Sequence, residues 1–287
     1  MTSIVCWMNP RDYFPGMWAV SDSRVCGPGG ILTENCPKLF AIHANCYRND
    51  DFTRTYPKRV LSFGFGFAGS TLIGANVKEM LATFLGELTE VNYYDAPDYP
   101  FEERVPSLAE IAEIARKLTE RYIASVGIHY PAAARCELVL FGFCRRSSCF
   151  KVFRVSNSAK VPASVTSEEL PVGEGELIIL GDRKDFIRTR TLSLRSQFAE
   201  GSWNWLRAPI ITLSEILRNN EPGSIGGYLQ LCSAFREGFK HLKISLSKDP
   251  LAPYVGFDVY REIGTIGGFL PSMSFGLVAP GPDGWPE

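Results

Sequence analysis

The order of two hydrophobic periodicities along the chain constrains its fold more than any other feature. Segments whose apolar residues alternate, as in strands, come first, and two segments of helical period follow them. A strand hairpin, two further helical segments and a last pair of strands complete the order. We predict strands at 3–8, 17–24, 38–43, 59–68, 136–144, 149–155, 176–182, 226–235 and 239–246, and helices at 70–90, 108–125, 184–199 and 210–219.

This order of elements favours an α+β fold. Runs of strands that alternate with helix pairs predict two packed sheets with helices outside, and hairpin-linked strands fit antiparallel sheets better than a parallel βαβ arrangement. We therefore predict a four-layer αββα sandwich of two mainly antiparallel sheets over residues 1–247. Segments 26–30 and 156–175 are expected to be loops. Residues 248–287, rich in Gly and Pro, are expected to form an extension that packs on the body or serves in assembly.

Composition excludes several classes of function. The formal net charge is −1, so no overall field favours nucleic acid or an anionic membrane surface. Hydrophobic residues make up 45% and charged residues 21% of the chain, as in an ordinary globular protein. The N-terminus lacks the pattern of a signal peptide, and no apolar run reaches the ~18 residues of a membrane helix. We expect a cytoplasmic protein without a nucleic-acid or membrane partner.

The eight cysteines and three histidines do not follow a metal-ligand spacing. Cys144 and Cys149 come nearest to one, but Arg-Arg-Ser-Ser separates them and no further Cys or His pair lies close in sequence. We therefore expect neither a metal ion nor an organic cofactor.

Three residues near the N-terminus supply the groups that an N-terminal nucleophile requires. Once Met1 is removed, the hydroxyl of Thr2 can attack a carbonyl while its α-amine accepts the proton. That amine has an ordinary pKa near ~8, which a neighbouring ammonium lowers. Lys38 would supply the ammonium, and Asp22 would hold it in place. Gly69, just before the first helix, would offer a backbone N–H to the oxyanion.

The segments that carry these residues resemble the β-type peptidases of the proteasome. In order, they are TSIVCWM, WAVSDSR, CPKLFAI and GFGFAGST, with Asp22 and Lys38 at the family spacing. The resemblance covers about residues 2–245 and is nearest to the bacterial Anbu (ancestral β-subunit) branch and to the ATPase-driven threonine peptidase of bacteria. It implies the N-terminal nucleophile hydrolase fold, with Thr2 as nucleophile and Gly69 at the oxyanion.

The resemblance also indicates a substrate and an assembly. The positions that match the family's pocket for the substrate side chain are Val25, Cys36, Phe67 and Thr71. They are apolar or small, so we expect a hydrophobic side chain before the bond that is cut. The expected substrate is a peptide or an unfolded protein. The family further implies a homo-oligomer, either a ring or a helical assembly, and leaves an ATPase partner as an open alternative.

The sequence departs from the family at its supporting positions. Asp182 replaces the serine of the family's Gly-Ser-Gly turn, Ile225 replaces a later serine, and Pro222 replaces an aspartate. Ser23, Asp182 and Ser224 are the candidates to support the site instead. Two alternatives to a peptidase therefore stay open: a catalytically silent assembly subunit, and a threonine-nucleophile amidohydrolase that acts on a small amide.

Overall fold

A computed structural model describes residues 2–11, 15–47, 57–91, 101–158, 161–219, 223–245, 253–269, 271 and 274–278. The strands in these ranges are β1 Ser3–Asn9, β2 Gly16–Ser21, β3 Val25–Gly27, β4 Gly30–Thr33, β5 Leu39–Tyr47, β6 Lys58–Gly69, β7 Leu88–Thr89, β8 Cys136–Cys144, β9 Cys149–Asn157, β10 Val165–Leu170, β11 Ile178–Gly181, β12 Gln230–Phe235, β13 Gly238–Ser245 and β14 Ser274–Val278. The helices are α1 Thr71–Gly86, α2 Phe101–Arg104, α3 Leu108–His129, α4 Lys184–Arg195 and α5 Trp203–Arg218, with a 3-10 turn at Pro131–Ala133 and a π-helical turn at Val259–Ile263.

The described strands form two six-stranded sheets and one small hairpin. The first sheet has the order β11-β1-β2-β12-β13-β14, and the second has the order β10-β9-β8-β6-β5-β7. Neighbouring strands run antiparallel except for the pairs β13·β14 and β5·β7, which are parallel. β3 and β4 pair as a separate hairpin. The predicted mixed α+β class is confirmed.

Both faces of β1, in the first sheet, are buried, as the apolar composition of this strand requires. Along β1, Ile4 and Cys6 belong to an apolar cluster that also contains side chains of the second sheet. Val5 and Trp7 belong to a different cluster, which contains buried side chains of α4 and α5. The two-residue period of a strand therefore directs alternate side chains to opposite faces. A third cluster joins the second sheet to α1 and α3.

Helix α5 begins earlier than the predicted boundary at 210. Ser202 caps it, because its Oγ accepts a hydrogen bond from the N–H of Trp205. Pro209 lies inside the helix and cannot donate to the carbonyl of Trp205. The guanidinium of Arg195 donates to that carbonyl at 3.3 Å instead, so the helix continues through the proline.

The sequence did not predict five of the observed strands, which are β3, β4, β7, β10 and β14. β7 lies at the end of the predicted helix 70–90, because α1 ends at Gly86. β10 lies in a segment predicted to be a loop, because its exposed polar side chains hide the strand period; Glu168 and Glu169 form ion pairs with Arg154 and Lys151 of β9. β4, paired with β3, falls partly in another predicted loop, and β14 lies in the extension. The division at residue 247 stays a prediction. Within the described ranges, none of the helices combines the length and apolar character needed to cross a membrane.

Candidate active site

The two sheets bring the starts of β1 and β5 and the end of β2 together. Ile4 pairs with Ser21, so Asp22 lies beside the first residues of β1. One carboxylate oxygen of Asp22, Oδ1, accepts from the N–H of Ser3 at 3.0 Å, and the other, Oδ2, accepts from Nζ of Lys38 at 3.1 Å. Asp22 and Lys38 are fully buried, and Thr2 is 4% exposed. Asp22 and Lys38 therefore form a buried ion pair one residue from Thr2.

Asp22 is solvated by the protein in place of water. Besides Ser3 and Lys38, the backbone N–H groups of Arg24 and Gly226 donate to its Oδ2 at 3.2 and 3.1 Å. A buried carboxylate is costly unless donors of this kind surround it. Burial raises the pKa of Asp22, and the Lys38 ammonium and the amides of Ser3 and Gly226 oppose that rise. With four donors directed at the charged form, the arrangement stabilises a carboxylate.

Lys38 is buried with only part of its hydrogen-bonding capacity used by this pair. Its Nζ donates to Asp22 and, at 2.6 Å, to the carbonyl of Arg24. An ammonium has three N–H donors, so these two acceptors leave one donor for another group. Burial lowers the pKa of Lys38, and the charge of Asp22 opposes the change. The ammonium is therefore held rigidly and gives up its proton more readily than a surface lysine does.

Asp182 and Ser224, both predicted as supporting residues, meet beside the start of β1. The N–H of Asp182 donates to the carbonyl of Thr2 at 2.8 Å, and Ser3 Oγ donates to the carbonyl of Asp182 at 2.7 Å. Ser224 Oγ donates to Oδ2 of Asp182. The preceding Gly181 has φ +86°, and a Cβ there would lie 1.7 Å from the carbonyl oxygen of Thr2. Only glycine permits this close approach.

Ser23 and Arg24 connect the Asp22 segment to the segment before β12. Ser23 Oγ donates to the carbonyl of Glu34 and accepts from the N–H of Tyr228 at 2.7 Å. The guanidinium of Arg24 pairs with the Glu34 carboxylate and donates to the carbonyl of Ile225. It also donates to the carbonyl of Gly223, and a Cβ at Gly226 would lie 2.1 Å from its Cζ. Both side chains thus fix loops around the buried pair.

The turn at Gly69 lies near the same edge. Gly69 has φ +95°, and the next residue, Ser70, donates its N–H to the carbonyl of Arg135 at 2.7 Å. A Cβ at Gly181 would meet the Cβ of Ala68 at 3.1 Å, so the end of β6 approaches the glycine that contacts Thr2. Helix α1 begins directly after this turn, and backbone N–H groups at a helix start favour negative charge.

The four predicted pocket residues differ in exposure. Val25, Cys36 and Thr71 are partly exposed, whereas Phe67 is buried at 2%. The ring of Phe67 stacks on that of Phe40 at a centroid distance of 6.0 Å and belongs to the cluster under α1 and α3. Phe67 therefore faces the core beneath α1 and α3, and its side chain offers no open space. A hydrophobic specificity pocket stays a prediction.

Two side chains near the site were not identified from the sequence. Gln230 Oε1 accepts from the backbone N–H groups of Lys38 and Leu39 at 2.8 and 2.9 Å, and its Nε2 donates to the carbonyl of Leu39 at 2.8 Å. Glu137 accepts from the N–H of Gly181 at 2.7 Å and from Lys184. The one sequence signal for Gln230 is a polar amide at the start of the mainly apolar run QLCSAF, because a buried polar side chain needs hydrogen-bond partners.

Other predicted features are outside the described part of the chain or remain open. Met1 and Pro222 lie outside the described residues. Among the described residues, no group of three or more His, Cys, Asp and Glu side chains is arranged to hold a metal ion. The expectation that no cofactor is required stays a prediction.

Among the solved structures to which this chain is similar are three of Anbu (ancestral beta-subunit) proteins. Anbu from Yersinia bercovieri has 14% identity over 80% of each chain and a TM-score of 0.49. The Gly-1 mutant of Anbu from Hyphomicrobium sp. strain MC1 has 13% identity over 81% of each chain and a TM-score of 0.49. A helical assembly of the Anbu complex from Pseudomonas aeruginosa has 15% identity over 80% of each chain and a TM-score of 0.48. No family model and no curated protein matches the sequence.

Proposed function

We propose that this chain is a threonine-type N-terminal nucleophile peptidase with Thr2 as its nucleophile. The observation that carries the proposal is the buried ion pair of Asp22 and Lys38 beside the start of β1. A fully buried lysine is costly to keep, and catalytic sites are where such perturbed groups concentrate. The four-layer αββα arrangement is part of the proposal, and the helix pairs on the outer faces of the two sheets support it.

The proposed reaction begins when removal of Met1 frees the α-amine of Thr2. Thr2 Oγ forms a bond to the substrate carbonyl carbon, and its proton passes to the α-amine. The amine then delivers that proton to the leaving nitrogen as the C–N bond breaks, which leaves an ester on Thr2. Water, deprotonated by the same amine, attacks the ester; the bond from the acyl carbon to Thr2 Oγ then breaks, the amine returns the proton to Oγ, and the acid leaves. The N–H of Gly69 would stabilise the oxyanion in both steps.

Lys38 would tune this reaction through its charge. An ammonium near the α-amine disfavours a second positive charge and lowers the pKa of the amine. The amine is then neutral at a lower pH and is available as a base. Asp22 holds Lys38 in place, and Asp182, bonded to Ser224, would fix the backbone of Thr2 from the other side. Asp182 and Ser224 would thus replace the family's supporting serine and aspartate.

The proposed enzyme acts on peptides or unfolded proteins within a homo-oligomer in the cytoplasm. The extension exposes Ile263, Ile266 and Phe269, whose exposed fractions are 50%, 67% and 81%. Exposed large apolar side chains that lie close together in a chain mark interaction surfaces, which supports assembly. A hydrophobic residue before the cleaved bond would fit Val25 and Cys36. An ATPase partner stays an open alternative.

A catalytically silent assembly subunit is the second candidate. Ile225 occupies the position of a supporting serine, and its side chain is 4% exposed within the cluster under α4 and α5. An apolar residue at this position cannot hydrogen-bond to an α-amine.

Intact-mass analysis with a peptide epoxyketone distinguishes the two candidates, because this reagent forms a ring with both the hydroxyl and the α-amine of a terminal threonine. We expect loss of the initiator methionine and one covalent adduct. Thr2→Ala should abolish the adduct and lower peptide hydrolysis at least about a thousandfold. Thr89→Ala, at an exposed position of β7, is the matched control and should react like the wild type. An unmodified wild-type protein with methionine retained would refute the proposed mechanism.

A further inference from the structure

A two-residue turn in the C-terminal extension packs against the segment that precedes Lys38. Tyr254 and Phe257 exchange backbone hydrogen bonds at 2.9 and 3.0 Å, which closes the turn. Between them, Val255 has φ +49° and Gly256 has φ +86°. A β-branched residue is rare in the left-handed region, so Val255 is held there against its preference. Its side chain is 2% exposed, and its burial offsets that cost.

The turn is fixed between two segments of the candidate site. Asn35 Nδ2 donates to the carbonyl of Val255 at 3.0 Å. A Cβ at Gly256 would lie 1.9 Å from Asn35 Nδ2 and 2.7 Å from the ring of Tyr228, so glycine is required at this contact. Asn35 precedes the predicted pocket residue Cys36. The extension thus contacts the active-site side of the body directly.

A chain of side-chain hydrogen bonds runs from the turn to Gln230. Gln230 Nε2 donates to Oη of Tyr254 at 2.8 Å, and that Oη lies 2.9 Å from Nδ1 of His241. The hydroxyl of Tyr254 accepts a hydrogen bond from Gln230, so we assign its O–H as the donor to Nδ1 of His241. In this assignment the His241 ring is neutral and carries its own proton on Nε2. Burial lowers the pKa of His241 to about 4, so the ring is neutral at physiological pH.

Gln230 connects Tyr254 to the backbone of the proposed catalytic lysine, Lys38. Its Oε1 accepts from the N–H groups of both Lys38 and Leu39, which is possible only with the amide in one of its two orientations. The hydroxyl of Tyr254 favours that orientation, because its oxygen accepts from the NH₂ group of the Gln230 amide. Rotation of the amide would direct its NH₂ at two backbone N–H groups and leave them without an acceptor.

We propose that Tyr254 is a positioning residue for Lys38 that acts through the side-chain amide of Gln230. This inference rests on the proposed function, and it gives the extension a role inside the active site. A lysine must be held within a fraction of an ångström to act on a neighbouring amine, since a displacement of about 1 Å can reduce a rate ~100-fold. The backbone of Lys38 sets where its ammonium lies relative to Asp22 and Thr2.

Tyr254→Phe tests the inference, with Tyr260→Phe in the same extension as the matched control. The rates of hydrogen exchange at the N–H groups of Lys38 and Leu39 measure their contact with Gln230, and this measurement does not depend on enzymatic activity. We expect about five- to tenfold faster exchange in Tyr254→Phe, because one neutral hydrogen bond no longer orients the Gln230 amide. Tyr260→Phe should leave the exchange rates unchanged. His241→Leu removes the acceptor of the Tyr254 hydroxyl, so it should also accelerate exchange at Lys38 and Leu39, by a smaller factor. If Tyr254→Phe does not fold, His241→Leu takes its place in the test.

The rate of epoxyketone labelling of Thr2 as a function of pH separates positioning from stability. If Lys38 moves away from the α-amine, the pKa of that amine rises, so the pH midpoint of labelling should move upward in Tyr254→Phe. Unchanged exchange at Lys38 and Leu39, or faster exchange with an unchanged pH profile of a reactive Thr2, would overturn the inference. Faster exchange together with an unreactive wild-type Thr2 would support the contact and refute the proposed peptidase, so the two failures are distinguishable.

Discussion

Asp22→Asn keeps the shape of a buried side chain and removes its charge. If the amide oxygen retains the bond from Ser3, the NH₂ group faces three donors, which are Nζ of Lys38 and the N–H groups of Arg24 and Gly226. All three lose an acceptor, and one of them is an ammonium that burial already disfavours. The substitution therefore leaves a buried charge whose remaining acceptor is the carbonyl of Arg24.

The reverse substitution, Lys38→Met, is expected to cost less. Asp22 would keep the N–H groups of Ser3, Arg24 and Gly226 as donors, and Met fills the volume of the lysine stem. Breaking a buried pair so that one charge is uncompensated costs about 3 to 5 kcal/mol, whereas loss of a hydrogen bond to a charged group costs about 1.5 to 3 kcal/mol. We expect the free energy of unfolding to fall by about 4 kcal/mol in Asp22→Asn and by about 2 kcal/mol in Lys38→Met. The double variant should lose about 3 kcal/mol rather than the sum, because neither charge remains.

Urea denaturation of the four proteins, followed by circular dichroism at one pH and one protein concentration, measures these differences. A constant slope against urea would show that the variants share one unfolding transition. Equal losses in the two single variants would contradict the argument from the donors of Asp22. Additive losses in the double variant would show that Asp22 and Lys38 are not energetically coupled.

Two further predictions concern residues that hold the site together. Because burial lowers the pKa of His241 from 6.5 to about 4, the neutral ring stabilises the fold fully above pH ~6.5, and this stability is lost as the pH falls toward 4. The free energy of unfolding should fall by about 2 kcal/mol over this range, after allowance for the partial exposure of the ring. His241→Gln should remove most of this change. If both proteins had the same dependence of stability on pH, His241 would not be its cause. Gly181→Ala should lower the free energy of unfolding by more than about 3 kcal/mol, measured by heat or urea, since its Cβ would overlap the carbonyl of Thr2. Gly86→Ala, where nothing lies within 4 Å of the added Cβ, should be neutral or slightly stabilising. Similar effects at the two sites would contradict the packing argument.

The local pattern of the sequence was enough to predict the fold wherever burial decides it. The hairpin of β8 and β9 was predicted with nearly its observed bounds, because both strands carry long apolar runs on either side of a polar turn. β10 was missed since it is an edge strand stabilised by cross-strand ion pairs, and such pairs leave no hydrophobic period. The start of α5 was missed because Arg195, in the preceding helix, supplies the donor that Pro209 lacks. That compensation comes from tertiary contact and is invisible to a local pattern.

The contact of Asp22 with Lys38 could be predicted from the groups that an N-terminal nucleophile requires and from the family spacing of the two residues, although β2 and β5 belong to different sheets. The meeting of Asp182 with Ser224 followed only from a resemblance, and neither residue has a distinctive local pattern. The contribution of Gln230 could not be predicted, since its partners Lys38 and Tyr254 are distant in sequence and no local signal links them. Long-range polar contacts of this kind depend on the folded arrangement of both sheets.

The close approach of Gly226 to the guanidinium of Arg24 constrains the residues that these two positions can carry together. A side chain at 226 would overlap Cζ of Arg24, and a shorter residue at 24 would leave the carbonyls of Gly223 and Ile225 without their donor. Each single change is therefore disfavoured in the background of the other native residue. Among descendants of a common ancestor, a residue larger than glycine at 226 should appear only together with a shorter residue at 24.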